Sequence, residues 1–232
     1  MRPTHMFRTV LLASLAALAP SLAHAQSAVP GPGSPFKDTT PVMEAARSLP
    51  AGKPVAIYEF EDLECPACAH AFPIVHLAVD KYKIPLLRHD FPLQGHIWSR
   101  DAAITARYLQ DKVSKEAAEQ FRRDVFANQT AIESKEDLSN YTRRWFTEHK
   151  QFGNMPFVMD PSGLFAAEVQ ADSRLGERIG LAHTPTIFVL YSKGWVEVTD
   201  VSQLYTVIDN AIAQSPTTSA RNTMRKPNGP QH

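Results

Sequence analysis

The stretch VAIYEFEDLECPACAHAF, residues 55–72, decides the fold of this chain. Its first part, VAIYEFE, is rich in side chains that favour β-structure and predicts a strand. Cys65 and Cys68 follow closely, and Pro66 has the fixed φ and the missing N–H that suit the first position of a helix. The stretch therefore predicts a strand that leads directly into a helix, with both cysteines at the start of that helix.

Cys65 and Cys68 are the only two cysteines in the 232 residues. A disulfide between them would close a very short loop and remove little conformational entropy from the unfolded chain. The spacing suits reversible exchange instead, because one thiolate attacks a disulfide and the second lies within reach to resolve the mixed disulfide. A permanently closed local disulfide is the alternative. Two cysteines without a matched histidine pair are a weak ligand set, so we expect no metal and no cofactor.

The N-terminal residues have the pattern of an export signal. Arg2 and Arg8 flank the start of a short apolar stretch, and Ala23-His24-Ala25 provides the small residues that a signal peptidase requires. The apolar stretch is too short to span a bilayer, although an uncleaved membrane anchor is the alternative. Cleavage after Ala25 would release the chain into a compartment where disulfides persist. The formal net charge of zero gives no reason to expect nucleic acid or an anionic membrane surface as a partner.

The remaining pattern is that of a mixed α/β chain with a helix-rich middle. Residues 84–91 predict a second strand, parallel to the first through a right-handed crossover. Ser99 is a suitable N-cap for the first of four predicted helices. These helices are expected at 100–110, 115–127, 135–150 and 162–179. Residues 186–191 and 195–199 predict a hairpin, and residues 202–213 a closing helix.

Two features together resemble the thioredoxin fold: the Cys65–Cys68 motif at a helix start, and Thr184-Pro185 just before a hairpin and final helix. The helical block between the two halves makes the chain resemble the DsbA-like thiol-disulfide oxidoreductases in particular. The segment FPLQGHIWSRDAAITARYL, residues 91–109, is similar to the one that leads into the helical domain of many bacterial DsbA-like proteins. The resemblance covers residues 50–213 and implies an α/β, thioredoxin-like fold with an inserted helical domain.

The expected organisation combines this resemblance with the composition of the two ends. Segments rich in Pro, Gly and Ser, or polar throughout, are expected to be flexible. The expected parts are a signal peptide at 1–25, a flexible leader at 26–45, the first part of the thioredoxin-like domain at 46–96, the helical insertion at 97–160, the second part at 161–214, and a disordered tail at 215–232.

The resemblance also implies roles for the four motif residues. Cys65, at the exposed end of the helix, is expected to be the attacking nucleophile, since unpaired N–H groups and the helix dipole lower the pKa of a thiol there. Cys68, one turn further, is expected to be the buried resolving thiol. Pro66 begins the helix. Ala67 stands where the most oxidising family members carry histidine, which suggests a milder oxidant.

Thr184-Pro185 matches the loop that faces the active cysteines in the thioredoxin fold. The resemblance implies a cis peptide bond at Pro185, although only a small fraction of X-Pro bonds in folded proteins are cis. The backbone of Thr184 would then pair with a substrate chain as an added strand. An ordinary trans proline at the start of a strand is the alternative.

Glu59 lies six residues before Cys65, and a DsbA-like strand carries a buried glutamate at that offset. A carboxylate inside a central strand is costly unless it has a task. The hypothesis is that Glu59 handles the proton of Cys68 during exchange, which requires a raised pKa. A solvated glutamate on an edge strand is the alternative.

Three acidic residues crowd the approach to Cys65. Glu61, Asp62 and Glu64 are expected to form a solvated loop, in which screening by water and salt keeps their effect on the thiolate small. His70 is expected on the surface of the motif helix. No role is predicted for His89 or His96, and the three tryptophans are expected in the core or at the domain junction, namely Trp98, Trp145 and Trp195.

The favoured interpretation is a monomeric, periplasmic thiol-disulfide oxidoreductase that donates its disulfide to cysteines of exported proteins. A membrane redox partner for its reoxidation or reduction is implied by the family. A reductase or isomerase of the same fold is the first alternative. Isomerases of this kind usually carry an N-terminal dimerisation domain, and residues 26–54 are too short and too rich in Pro and Gly for one. A non-catalytic peptide-binding module is the alternative from another class.

Overall fold

The computed structural model describes residues 35–153 and 160–215. The predicted signal peptide, most of the predicted leader and the predicted tail after Ser215 lie outside the described residues. Ser215 itself is buried, and its hydroxyl donates to the carbonyl of Pro54 at 3.0 Å. Ser215, which the prediction assigned to the tail, is therefore packed on the folded part of the chain.

The elements alternate as a mixed α/β chain interrupted by helices. In chain order they are α1 (Thr40–Arg47), β1 (Val55–Glu61), α2 (Pro66–Tyr82), β2 (Leu86–Asp90), α3 (Ser99–Lys112), α4 (Lys115–Asn128), α5 (Lys135–Glu148), α6 (Leu164–Ile179), β3 (Thr186–Tyr191), β4 (Gly194–Glu197) and α7 (Leu204–Gln214). The helices α3 to α6 stand between β2 and β3. This order confirms the predicted α/β fold with a helical insertion.

The sheet has the strand order β2-β1-β3-β4. β1 is parallel to β2 and antiparallel to β3, and the hairpin β3-β4 completes the sheet. β1 is therefore an interior strand, and all seven of its residues are buried. In its register Glu59 lies between Arg88 on β2 and Ile187 on β3.

Helices cover both faces of the sheet. On one face Ile57 packs in a cluster with Val75 of α2 and Ile208 of α7. On the other face Phe60 packs with Ile179 at the end of α6. Because side chains alternate along a strand, the odd-numbered residues of β1 point towards α2 and the even-numbered ones point away. Glu59 therefore shares the face that carries the motif helix.

The expectation of a flexible leader is wrong for the part that the structure describes. Residues Thr40–Arg47 form α1, and Val42 is fully buried. Before the helix, the ring of Phe36 packs edge-on against Phe188 at 5.2 Å and Trp195 at 5.8 Å between ring centroids. The Pro- and Gly-rich composition concealed these apolar anchors, whose burial orders the segment on the sheet.

The helical insertion has a core of its own, in which Leu109 and Phe121 are fully buried. α6 belongs to both parts. Phe165 near its start packs in the helical core, whereas Ile179 at its end packs on the sheet. The predicted boundary at residues 160 and 161 therefore divides the chain ahead of a helix that both parts share.

A buried ion network joins the insertion to the sheet. The guanidinium of Arg122 on α4 donates to Glu61 on β1 at 2.6 Å and to Asp90 on β2 at 2.7 Å. Arg107 on α3 donates to Asp90 at 2.5 Å and also to Asp172 on α6. Buried charges are tolerated only when they are paired in this way. The expectation of a solvated Glu61 is therefore wrong.

Candidate active site

Cys65 is the N-cap of α2, with extended backbone angles of φ −79° and ψ 120°, and Pro66 occupies the first helical position. The end of β1 delivers the motif to this point, because the strand and the helix are separated by only a short loop. Pro66 and Ala67 are exposed. The motif therefore presents its two middle residues to solvent and turns both cysteines inward.

Cys65 is more enclosed than the sequence suggests, since only 7% of the residue is exposed. Its thiol donates to the carbonyl of Thr184 at 3.3 Å. The pKa of Cys65 is lowered to about 5, first by a hydrogen bond from Cys68 and then by Thr184 and the backbone N–H groups of Cys68 and Ala67, while burial opposes the shift. At neutral pH the Cys65 sulfur is therefore a thiolate.

Cys68 is 2% exposed, and its sulfur accepts a hydrogen bond from the backbone N–H of Asp62 at 3.4 Å. Burial raises the pKa of the Cys68 thiol, and so do its hydrogen bond to Cys65 and the negative charges of Cys65 and Glu61. Both cysteines are free thiols. The two pKa shifts favour the thiolate at Cys65 and the protonated thiol at Cys68.

The peptide bond between Thr184 and Pro185 is cis, which confirms the expectation from the resemblance. This loop lies directly against Cys65, through the Thr184 carbonyl. The hydroxyl of Thr184 is buried and has no hydrogen-bond partner among the described residues. The side chain of Thr184 also lowers the pKa of Cys65, so the loop favours the thiolate.

Glu59 is buried in the interior strand β1, so the edge-strand alternative is wrong. Its pKa is raised to about 8, first by burial and then by the charge of Glu61, while Arg88 and Arg122 act in the opposite direction. The carboxyl of Glu59 is therefore largely protonated at neutral pH. Its proton-handling role for Cys68 stays a prediction.

Glu64 does not belong to a solvated loop either. Its carboxylate accepts hydrogen bonds from the backbone N–H groups of Trp98 at 2.7 Å and Ser99 at 2.9 Å. These are unpaired donors at the start of α3. The predicted N-cap role of Ser99 is therefore wrong: Ser99 is the first residue of α3, and a glutamate from the cysteine loop satisfies the N–H groups there.

Asp62 is buried and makes the densest set of contacts around the motif. One carboxylate oxygen accepts from the N–H of Leu93 at 2.8 Å and pairs with Nδ1 of His96 at 2.7 Å. The other oxygen accepts from the Ser99 hydroxyl and from the N–H of Glu64. Sequence reasoning missed this cluster, because its members are separated by more than thirty positions, and nothing in their spacing signals contact.

Gln129 is a further residue that the sequence did not single out. It follows α4, and its side-chain amide donates to the carbonyls of Leu63 at 2.7 Å and Cys65 at 3.1 Å. These carbonyls lie in the loop that carries the motif. The helical insertion therefore holds the cysteine loop by its backbone as well as by Asp62 and Glu64.

The other histidines and the tryptophans have structural surroundings. His70 is exposed on α2, as expected. His89, for which no role was predicted, pairs with Asp172 at 2.8 Å. Trp98 and Trp145 are buried in the helical core, and Trp195 on β4 packs beside Phe188 of β3.

Within residues 35–153 and 160–215, no three or more His, Cys, Asp or Glu side chains are grouped to hold a metal ion. In the same residues no helix is both long enough and apolar enough to cross a membrane.

Comparison with known proteins gives matches to one fold. Residues 51–209 match a family model described as Thioredoxin. The thiol-disulfide exchange protein alpha-DsbA2 from Wolbachia pipientis is 18% identical, with 70% of this chain and 84% of that chain covered and a TM-score of 0.54. BdbD from Bacillus subtilis is 20% identical, with 72% and 89% covered and a TM-score of 0.54. The oxidoreductase NmDsbA1 from N. meningitidis is 20% identical, with 71% and 84% covered and a TM-score of 0.54.

At these identities the structural likeness shows the fold. No curated protein sequence matches the chain.

Proposed function

Because this chain belongs to the thioredoxin family and carries the Cys65–Cys68 pair of a DsbA-like thiol-disulfide oxidoreductase, we propose that it donates its disulfide to cysteines of exported proteins. The observation that carries the proposal is the lowered pKa of Cys65, at about 5, beside the raised pKa of Cys68. A stabilised thiolate stabilises the reduced protein, so the oxidised protein tends to accept electrons from a substrate dithiol.

The proposed reaction has two exchange steps. A substrate thiolate attacks the Cys65 sulfur of the disulfide, so that a substrate–Cys65 disulfide forms and Cys68 leaves with the electron pair. A second substrate thiolate then attacks the substrate sulfur of this mixed disulfide. The substrate leaves as a disulfide, and Cys65 is released as a thiolate, a good leaving group because of its low pKa. Two electrons pass from the substrate to the cysteine pair.

Glu59 is proposed to supply the proton that Cys68 needs when it leaves. The raised pKa of Cys68 means that its free thiolate is unstable in the buried site, so it takes up a proton. Glu59 is protonated at neutral pH and lies on the β1 face that packs against α2. A carboxyl with a pKa near the working pH is an effective proton donor and acceptor.

The Thr184-Pro185 loop is proposed to receive the substrate chain. Thr184 contacts Cys65 through its backbone carbonyl, so a peptide paired with this loop would bring its cysteine to the Cys65 sulfur. The exposed residues Pro66 and Ala67 would lie beside that peptide. Ala67 brings no charge and no side-chain hydrogen bond, which supports a milder oxidant than a histidine at this position would give.

The site of action proposed is the periplasm, on the basis of the export signal at residues 1–25. A membrane redox partner would reoxidise the pair, and the protein would act as a monomer. Mass spectrometry of the N-terminus of the exported protein tests the proposed cleavage after Ala25. Size-exclusion chromatography with light scattering tests the monomer.

The redox state of the cysteine pair in cells tests the direction. Cells that express the full chain are quenched with acid, and free thiols are alkylated with a reagent that shifts the protein on a gel. A predominantly oxidised Cys65–Cys68 pair is expected of a donor. A predominantly reduced pair would instead make the protein a reductase or isomerase. The variant with both cysteines changed to serine marks the position of the unalkylated protein.

A further inference from the structure

Asp62 connects the buried sulfur of Cys68 to the helical insertion. Its backbone N–H donates to Cys68 Sγ at 3.4 Å, while its carboxylate is held by the Leu93 N–H, the His96 ring and the Ser99 hydroxyl. We call the Asp62 carboxylate and these three partners the Asp62 clamp. The sulfur contact and the clamp belong to the same residue, so a carboxylate held in place limits where the backbone N–H can lie.

The contacts of the clamp restrict Asp62 strongly. The side chain of Asp62 is fully buried, whereas the ring of His96 is 24% exposed. A buried carboxylate that loses a donor bears the cost of an unmet hydrogen bond, and the cost is larger for a charged group. The carboxylate therefore keeps its position while its partners stay, and the Asp62 N–H is kept near the sulfur.

The N–H of Asp62 acts on Cys68 in the direction opposite to most of its surroundings. Burial, Cys65 and Glu61 all disfavour a negative charge on the Cys68 sulfur, whereas the Asp62 N–H favours it. Glu59 lies on the same strand face as Glu61. Because Cys68 must be a thiolate when it attacks, a donor that favours this charge also favours the attack.

We propose that the Asp62 clamp is a positioning device for the resolving thiol: it holds the Asp62 N–H against Cys68 and so speeds the attack of Cys68 on a mixed disulfide at Cys65. In this step a bond forms between the two cysteine sulfurs, and the bond between Cys65 and the bound thiol breaks. The bound thiol leaves with the electron pair, and the Cys68 proton passes to a base, for which the ionised fraction of Glu59 is proposed, a fraction that grows as the pH approaches about 8. The inference rests on the proposed exchange chemistry and deepens it.

The reduced protein and an aromatic disulfide, 5,5′-dithiobis(2-nitrobenzoate), separate the two steps in a stopped-flow experiment. Attack by Cys65 releases one coloured thiolate and leaves a mixed disulfide. Attack by Cys68 releases the second coloured thiolate and closes the Cys65–Cys68 disulfide. The first phase therefore measures the nucleophile, and the second phase measures the resolving thiol alone.

His96→Ala is expected to slow the second phase about tenfold and to leave the first phase within about twofold of the unchanged protein. The pH at which the second phase is half-maximal is expected to rise. His96→Asn is expected to restore part of the rate, since its amide offers a donor close to the position of Nδ1. Ser99→Ala, which removes another partner of the carboxylate, is expected to slow the same phase to a smaller extent.

His89→Ala is the matched control. Its ring, on β2, pairs with Asp172 on α6, so this pair also joins the sheet to a helix of the insertion. The ring is 21% exposed, and the pair does not hold the Asp62 carboxylate. We expect both phases to stay unchanged in this variant. Equal second-phase rates in His96→Ala, Ser99→Ala and the unchanged protein would overturn the inference, and so would an equal slowing of both phases. If the unchanged protein showed no first phase, the proposed function itself would be wrong.

Discussion

Cys65 and Cys68 lie one helical turn apart, yet their surroundings act on their charge in opposite directions. Cys65 faces the Cys68 thiol, the Thr184 loop and the backbone donors at the start of α2, which together lower its pKa to about 5. Cys68 is more deeply buried, and burial, the adjacent Cys65 and the charge of Glu61 raise its pKa. A cysteine side chain is thus favoured as a nucleophilic thiolate at position 65 and as a protonated thiol at position 68.

The difference shows that spacing alone does not assign the two roles. Both thiols are buried, so exposure does not separate them as the sequence suggested. The separation arises because hydrogen-bond donors converge on Cys65, whereas negative charge and desolvation dominate at Cys68.

Replacement of Cys65, the proposed nucleophile, should have the largest effect on activity. Cys65→Ser is expected to lower the rate of oxidation of a reduced peptide with two cysteines by at least about a thousandfold, because a hydroxyl does not form the mixed disulfide. The loss is measured by mass spectrometry of the peptide over time. Retention of the full rate would mean that Cys65 is not the nucleophile, whereas the absence of oxidation by the unchanged protein itself would support the peptide-binding module.

Replacement of the resolving thiol should preserve the first step alone. Cys68→Ser is expected to react with a small disulfide at Cys65 and then to accumulate the mixed disulfide, since no second thiol is present to displace it. The adduct is detected by intact-protein mass spectrometry. A Cys68→Ser protein that turned over at the rate of the unchanged protein would contradict the assigned roles.

The carboxyl of Glu59 should affect rate and stability in opposite senses. Glu59→Gln is expected to slow disulfide donation about tenfold by removing the proposed proton donor, and to flatten the dependence of the rate on pH near 8. An exchange rate unchanged across pH would remove Glu59 from the mechanism. Ile57→Val, on the same face of β1, is the control for a change in packing without a change in charge.

Stability gives a separate check on Glu59. A carboxyl whose folded pKa of about 8 exceeds its unfolded value makes the folded state less stable as pH rises from the unfolded to the folded pKa. Glu59→Gln is therefore expected to be more stable than the unchanged protein above this window, by on the order of 2 kcal/mol. Urea unfolding at pH 4 and pH 8.5 measures the difference, which should nearly vanish at the lower pH.

The smallest expected effect is a difference in melting temperature between the redox forms. The lowered pKa of Cys65 stabilises the reduced protein in full above the unfolded pKa of about 8.5, and this contribution is lost as pH falls through the folded value of about 5. The reduced form is expected to melt a few degrees higher at pH 7.5, at about 2–4 °C for each kcal/mol. Equal melting temperatures at pH 7.5 would weigh against the oxidising role, and calorimetry at pH 4 should show the difference gone.

Local sequence patterns predicted most of the fold. The β-rich run before the motif and the proline after Cys65 predict β1 and the start of α2, because both depend on neighbouring residues. The hairpin and the long helices follow from periodicity in the same way. The exception is α1, whose residues Thr40–Arg47 follow a Pro- and Gly-rich segment and are ordered by packing on the sheet.

The site was only partly predictable for the opposite reason. The motif cysteines and the Thr184-Pro185 loop are recognisable in the sequence, and so is the offset of Glu59. The contacts of Asp62, Glu64 and Gln129 are not, because each joins the cysteine loop to positions more than thirty residues away. A charged residue in isolation looks solvated until its distant partners are known.

The sequence by itself determined that two thiols stand at the start of a helix behind a buried strand. That arrangement is local, since the Cys68 thiol and the backbone N–H groups that lower the pKa of Cys65 belong to the motif itself. The contacts that the pair makes with distant residues exist only in the folded chain. Folding brings Thr184 into contact with Cys65, 119 positions away in the sequence. It also buries Asp62, which the sequence alone predicts to be solvated. The physical reason is that the charge of a buried group depends on donors and partners that reach it only when the chain is folded.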